Sequence, residues 1–123
     1  MSDQSAMKKI LFVQQRAPYG SLFGQEGLDA ILAGSAFTAC SVYFSGDGLF
    51  QITRHQNPAS IGLKDYAVSY EALADYGVER LYALDSDLAA RGLVADDFLV
   101  PVTVLSADDV ALEFENHDVI MSF

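Results

Sequence analysis

From end to end the chain alternates between short apolar runs of strand length and segments with helical periodicity. Ile10–Val13 is an unbroken apolar run, the pattern of a strand buried on both faces. Gln14–Ser21 follows as a loop punctuated by Pro18 and Gly20. Leu28, Ile31, Leu32, Ser35 and Ala36 then recur at helical spacing and predict a helix from about Gly24 to Thr38. Ala30, Ala33, Gly34 and Ala39 keep that helix slim enough to lie close on a sheet. A second strand is expected at Ser41–Ser45, a helix from about Leu63 to Tyr76 closed by Gly77, and a third strand at Arg80–Leu84. Asn57-Pro58 argues against a long helix through Gln51–Leu63. Asp85 is expected to cap a short helix running to Arg91 and stopped by Gly92. Phe98–Val104 reads as a fourth strand, with Pro101 demanding a sheet edge or a start at the proline. Ser106 caps a last helix with Asp108 and Asp109 in its first turn, ending at Asn116 or His117, and Val119–Met121 is a short final strand.

This alternation specifies an α/β fold: a three-layer α/β/α sandwich on a mainly parallel five-stranded sheet, flavodoxin-sized. A single domain is expected over residues 7–123, with the polar, patternless residues 1–6 as a flexible tail. Periodicity does not give the order of the strands.

In such a sheet, ligands and partners collect at the outer ends of the strands. The stretch VYFSGDGLFQI, Val42–Ile52, places a sharp Gly46-Asp47-Gly48 turn there, and two glycines let backbone come close to another group. Asp47 is the charged residue at this mouth. Glu26, at the start of the first helix, is the carboxylate that could face it as an acid/base pair. Each also has a structural use, Glu26 at a helix N-terminus and Asp47 bonding backbone in its own turn.

Known chemical signatures are missing. The first loop has Gly20, Gly24 and Gly27 at the wrong spacings for a dinucleotide fingerprint, and Gln51 stands where Gly46-x-Gly48 would need its third glycine. There is no G-K-[ST] sequence, and Gln14–Tyr19 is too bulky for a flavin phosphate loop. The lysines Lys8, Lys9 and Lys64 are not placed for a phosphoacceptor receiver. Cys40, His55 and His117 form no pair with metal-ligand spacing, so no cofactor is expected. Cys40 is the one cysteine; it precludes an internal disulfide and suits a reducing compartment. It is read as a packing thiol ahead of the second strand, with no cation near it in sequence.

A net charge of −10, with only Lys8 and Lys9 adjacent, argues against direct binding of nucleic acid or of an anionic membrane. Ile10–Val13 is too short for a signal-peptide core or a membrane span, which leads to the expectation of a cytoplasmic protein. Half of the residues are hydrophobic, so apolar surface is expected to be covered by another subunit.

Several stretches together carry a family resemblance. They are Lys8-Lys9-Ile10-Leu11-Phe12-Val13, Ala17-Pro18-Tyr19-Gly20, Gln25-Glu26-Gly27-Leu28-Asp29-Ala30, Phe44 with Asp47-Gly48-Leu49-Phe50-Gln51, Asp65-Tyr66, Leu88 with Arg91-Gly92-Leu93, and Asp118-Val119-Ile120 with Phe123. With them the chain, from Met7 to Phe123, resembles the TusC/DsrF family of DsrE/DsrF/DsrH-like sulfur-relay proteins. The resemblance implies a cytoplasmic hetero-hexamer with TusB/DsrH-like and TusD/DsrE-like subunits. Such a complex passes persulfide sulfur toward 2-thiolation of the tRNA wobble uridine, or, in the DsrF-type branch, serves oxidation of stored sulfur. The persulfide cysteine belongs to the TusD/DsrE-like partner, at the end of its third strand. Counting back from Arg91-Gly92 puts Leu84 or Asp85 at that position here, so the resemblance implies a non-catalytic subunit. Interface or cleft candidates are Tyr19, Gly20, Phe23, Glu26, Asp47, Gly48 and Phe50. Two rival readings are a self-contained sulfurtransferase using Cys40 and a small-molecule or nucleotide-binding module at the Gly20/Asp47 cleft.

Overall fold

The computed structural model describes residues 8–17, 23–53, 66–78 and 80–123. Its strands are β1 (Lys9–Gln14), β2 (Ala39–Phe44), β3 (Arg80–Leu84), β4 (Thr103–Leu105) and β5 (Val119–Ser122). Its α-helices are α1 (Phe23–Ser35), α2 (Tyr66–Leu73), α3 (Asp85–Ala90) and α4 (Ala107–Asn116). The five strands form one sheet in the order β4-β3-β2-β1-β5, and every pairing is parallel.

That order explains the layers. From β1 to β4 the chain steps one way across the sheet, and from β4 to β5 it returns over the whole sheet. Right-handed crossovers put connections of opposite direction on opposite faces. Side chains on one face (Phe12, Cys40, Val42, Phe44, Leu81, Ala83) accordingly pack with Leu28 and Ile31 of α1, Tyr70 and Leu73 of α2 and Leu88 of α3. Those on the other (Leu11, Val13, Tyr43, Tyr82, Leu84) meet Val110 and Phe114 of α4. The strict alternation along β1, β2 and β3 is the period of two of a strand buried on both sides.

The helix α1 is closer to the sheet than its side chains alone would permit. A Cβ at Gly34 would lie 3.3 Å from the Phe12 ring and 3.5 Å from the Cys40 sulfur. Its buried stripe is narrower than its sequence spacing suggests: Leu28 and Ile31 are buried, but Leu32 and Ala36 are exposed. The helix stops at Ser35 rather than near Thr38, because Phe37 N and Thr38 N both turn back onto the Gly34 carbonyl.

Three further expectations are corrected. The Gly46–Gly48 turn is the start of a 3-10 helix, Gly46–Gln51. Asp85 is the first residue of α3, not its cap; Leu84 holds the cap position, and the Asp85 carboxylate accepts from Ser86 N at 2.7 Å. The fourth strand begins only at Thr103, beyond Pro101 and at a sheet edge. Phe98 instead makes an antiparallel bridge with Thr53, and Leu99 N donates to the Ile52 carbonyl. Phe98 and Val100 are therefore buried although they lie outside the sheet. Other expectations agree with the structure: Gly77 ends the second helical segment at φ +83°, β3 spans Arg80–Leu84, and Ser106 Oγ accepts from Asp109 N, whereas β2 is Ala39–Phe44 rather than Ser41–Ser45.

Candidate functional site

The C-terminal ends of the strands form a packed rim. Ser45 N donates to the Gln14 carbonyl at 2.9 Å, which ties the exit of β2 to the exit of β1. Gly46 adopts φ +56°, a left-handed conformation suited to glycine, and turns the chain into the 3-10 helix. Gly48 then lies against the Gln14 backbone so closely that a Cβ would overlap the Gln14 carbonyl oxygen. The close approach that this turn permits is thus taken up by the protein's own β1. Gly27 of α1 presses on the Gln14 side chain from another direction, its Cβ position 2.5 Å from the amide nitrogen.

Beneath the turn runs a buried polar chain. Gln14 Nε2 donates to the Tyr70 hydroxyl at 2.7 Å, Tyr70 donates to Gln51 Oε1 at 3.0 Å, and Gln51 Nε2 donates to the Arg16 carbonyl at 2.8 Å. Gln14, Gln51 and Tyr70 are all almost fully buried. Polar groups are retained at such a depth only when bonded. The chain they form joins β1, α2 and the 3-10 helix.

Above it lies a charged layer. Asp47 Oδ1 accepts from both Nε and Nη2 of Arg91 at 3.1 Å. Arg91 Nη1 lies 3.7 Å from Asp87 Oδ1 and donates to the Asp87 carbonyl, while Asp87 Oδ2 accepts from Gly46 N at 2.9 Å. Asp47 therefore grips α3, and it is Asp87 that bonds the turn's backbone. With the Asp47 side chain 62% exposed, this pairing is worth about 0–1 kcal/mol. It orients the two segments more than it stabilises the fold.

The remaining candidates divide. Glu26 is exposed in the first turn of α1, and Phe50 is half-buried beside the buried Leu49. Phe23 opens α1. Tyr19 and Gly20 lie outside the described residues, as do His55 and Lys64. Arg91, Asp87, Gln14 and Tyr70 are the rim residues that sequence spacing did not single out as site residues.

The topology also marks a position. β3 and β4 are neighbours, yet their following helices leave on opposite faces, and in open parallel sheets ligands bind outside the C-terminal ends of such a pair. The residues there are Leu84-Asp85 and Leu105-Ser106, with Ser106 Oγ occupied in capping α4. No thiol stands at this position. Cys40 is within β2, near its opposite end, and not ahead of the strand as expected. Its sulfur lies 3.1 Å from Thr38 Oγ1, and burial pushes the thiol's pKa up, against a smaller lowering by that hydrogen bond. It is the reverse of an activated nucleophile. Among the described residues no three His, Cys, Asp or Glu side chains are grouped to hold a metal ion, and no helix is long and apolar enough to cross a membrane.

These features define an α/β domain whose strand-end rim, among the described residues, is a packed, charged surface without a thiol. The DsrE/DsrF-like family profile matches residues 8–123. Protein TusC of Shigella flexneri serotype 5b (strain 8401) is 40% identical over 119 residues, covering 95% of this chain and all of the relative. Protein TusC of Escherichia coli O9:H4 (strain HS) matches to the same extent. The chain belongs to the DsrE/DsrF-like family. The crystal structure of the YchN protein from E. coli superposes with a TM-score of 0.80 at 21% identity, covering 95% of this chain and 100% of that one. A protein of unknown function from Methanobacterium thermoautotrophicum gives 0.68 at 16% identity, over 93% and 98% of the two chains. Both likenesses speak to the fold, and they agree with the α/β sandwich expected from the sequence.

Proposed function

We propose that this chain is a non-catalytic subunit of a cytoplasmic sulfur-relay complex, assembling with TusB/DsrH-like and TusD/DsrE-like subunits. The complex would pass persulfide sulfur toward 2-thiolation of the tRNA wobble uridine. The observation that carries the reading is the end of β3. In a DsrE/DsrF-like chain 40% identical to proteins named TusC, the position assigned to the partner's thiol holds Leu84-Asp85. The single cysteine is buried, raised in pKa and at the wrong end of the sheet. Identity to proteins of that name favours the thiolation branch over sulfur oxidation.

In this role the rim is a contact surface. Tyr19, Gly20, Phe23, Glu26, Asp47 and Phe50 would meet a neighbouring subunit, while Gly48 and the buried Gln14–Tyr70–Gln51 chain keep the surface rigid. Apolar side chains left exposed elsewhere, Leu112 of α4 and Val119, Ile120 and Met121 of the edge strand β5, are further surface that subunits would cover.

Phe50→Asp tests the rim. A carboxylate placed in an apolar contact must be desolvated without a partner. Co-expression with the two related subunits followed by size-exclusion chromatography should show loss of the complex while the variant itself stays folded. An undiminished complex would count against the rim as the contact.

A further inference from the structure

At the other end of the sheet, an open cleft of about 670 Å³ lies between the N-terminal ends of β1, β2 and β3 and the last turn of α4. Its size is that of a small-molecule site. The parallel register builds it: Lys9 stands beside Ala39, Ser41 beside Arg80, and Asp118 N donates to the Lys9 carbonyl, closing the corner between α4 and β1. Lys9, Ser41, Arg80, Tyr82, Glu113 and His117 supply the polar groups of its wall.

Its charge runs against that of the molecule. The chain has seventeen acidic and seven basic residues, yet among the described residues two Lys/Arg side chains and a single carboxylate line this cleft. The carboxylate is engaged: burial and then Glu113 raise the Tyr82 phenol's pKa, Glu113 acting as acceptor for the phenol's proton, while Ser41 as a donor to the phenol oxygen lowers it. The ring of His117 is oriented. Its Nδ1 lies 2.6 Å from the Glu113 carbonyl oxygen, which can only accept, so Nδ1 carries a proton and donates to it. The Asp118 carboxylate is held by Lys9 N at 2.8 Å. Cys40 is also on the wall, with its sulfur 3.1 Å from Thr38 Oγ1 and 3.5 Å from the Cβ position of Gly34 in α1.

We propose that this cleft binds a small oxyanion, the phosphate, sulfate or carboxylate group of a metabolite, between Lys9 and Arg80. The guanidinium offers the paired donors that planar or tetrahedral oxyanions accept, and the ammonium supplies a second, mobile charge. The Ser41 hydroxyl and His117 lie on the same wall. A compact anion suits the site better than a polyanion, because Glu115 and Asp118 flank His117 in the chain and would repel an extended negative strand. The cleft and the rim are at opposite ends of the strands, so either assignment can fail without the other.

Two-dimensional amide NMR of the full chain tests it, with inorganic phosphate, sulfate and malonate added in turn while sodium chloride holds the ionic strength constant. At least one anion should produce saturable shifts centred on Lys9, Ser41, Arg80 and His117, and the anion that does so separates phosphate, sulfate and carboxylate sources. Lys9→Gln/Arg80→Gln should weaken that binding at least tenfold with the rest of the spectrum unchanged. Arg80→Lys, which keeps the charge but loses the fork, should weaken it less. The absence of saturable shifts with all three anions, shifts centred elsewhere, or full binding by the double variant would overturn the proposal.

Discussion

Gly48 shows how a single missing methyl group sets the geometry of the rim. A Cβ there would overlap the Gln14 carbonyl oxygen, and neither backbone segment can yield without breaking the Ser45–Gln14 hydrogen bond. Gly48→Ala should therefore destabilise the protein by about 3 kcal/mol. At Gly77 an added Cβ meets nothing within 4 Å, so Gly77→Ala should cost only the left-handed backbone penalty, about 1 kcal/mol. Urea unfolding of both variants measures the difference; equal costs would mean that the Gly48 contact is looser than described. The need for glycine at this turn was legible in the sequence, but what approaches it was not. Asp47 likewise read as a charge at a mouth, whereas its partner Arg91 lies 44 residues further along the chain. Only the parallel pairing of β2 with β3 brings the two segments together.

At the level of elements, local signals were legible where a residue's own backbone decides the outcome. Ser106 is one case: its hydroxyl accepts from Asp109 N, and α4 starts where the sequence places it. Ser106→Ala should lower stability by about 1 kcal/mol, read as a reduced urea midpoint at unchanged slope. A neutral result would show that the cap is not needed once α4 is docked. The proline at 101 is another case, since its missing donor pointed to an edge and β4 is an edge strand. Tertiary contacts decided the rest. Phe98 and Val100 carry a strand pattern but are buried by the segment around Ile52, outside the sheet. The apolar spacing of α1 suggested a broad stripe, yet Gly27 and Gly34 set the helix close to the sheet, with Leu28 and Ile31 buried and Leu32 and Ala36 exposed. The basic cleft was illegible for a related reason. Lys9, Arg80 and His117 are far apart in sequence, and they meet only because β1, β2 and β3 are consecutive in a parallel sheet while α4 returns over its other face.

For the molecule as a whole, two buried groups and one half-buried one bias stability in one direction. Burial raises the Cys40 thiol and the Tyr43 and Tyr82 phenols above their ordinary values, so each holds its proton more tightly folded than unfolded. Their contribution is complete below the unfolded pKa values and is lost as pH rises through them toward the folded ones. The urea midpoint should thus decline from roughly pH 8.5 upward, reflecting first the thiol and then the phenols. A midpoint that is flat or rising between roughly pH 8.5 and 10.5 would contradict the burial of these groups. The same buried thiol is central to the functional reading, in which sulfur is carried by another chain. Native mass spectrometry of the complex purified from cells, with the subunits then resolved under non-reducing conditions, tests this most directly. The account predicts that this chain is recovered with two related small subunits, that the persulfide is on one of them, and that Cys40 is unmodified. A persulfide on Cys40, or recovery of this chain without partners, would contradict it.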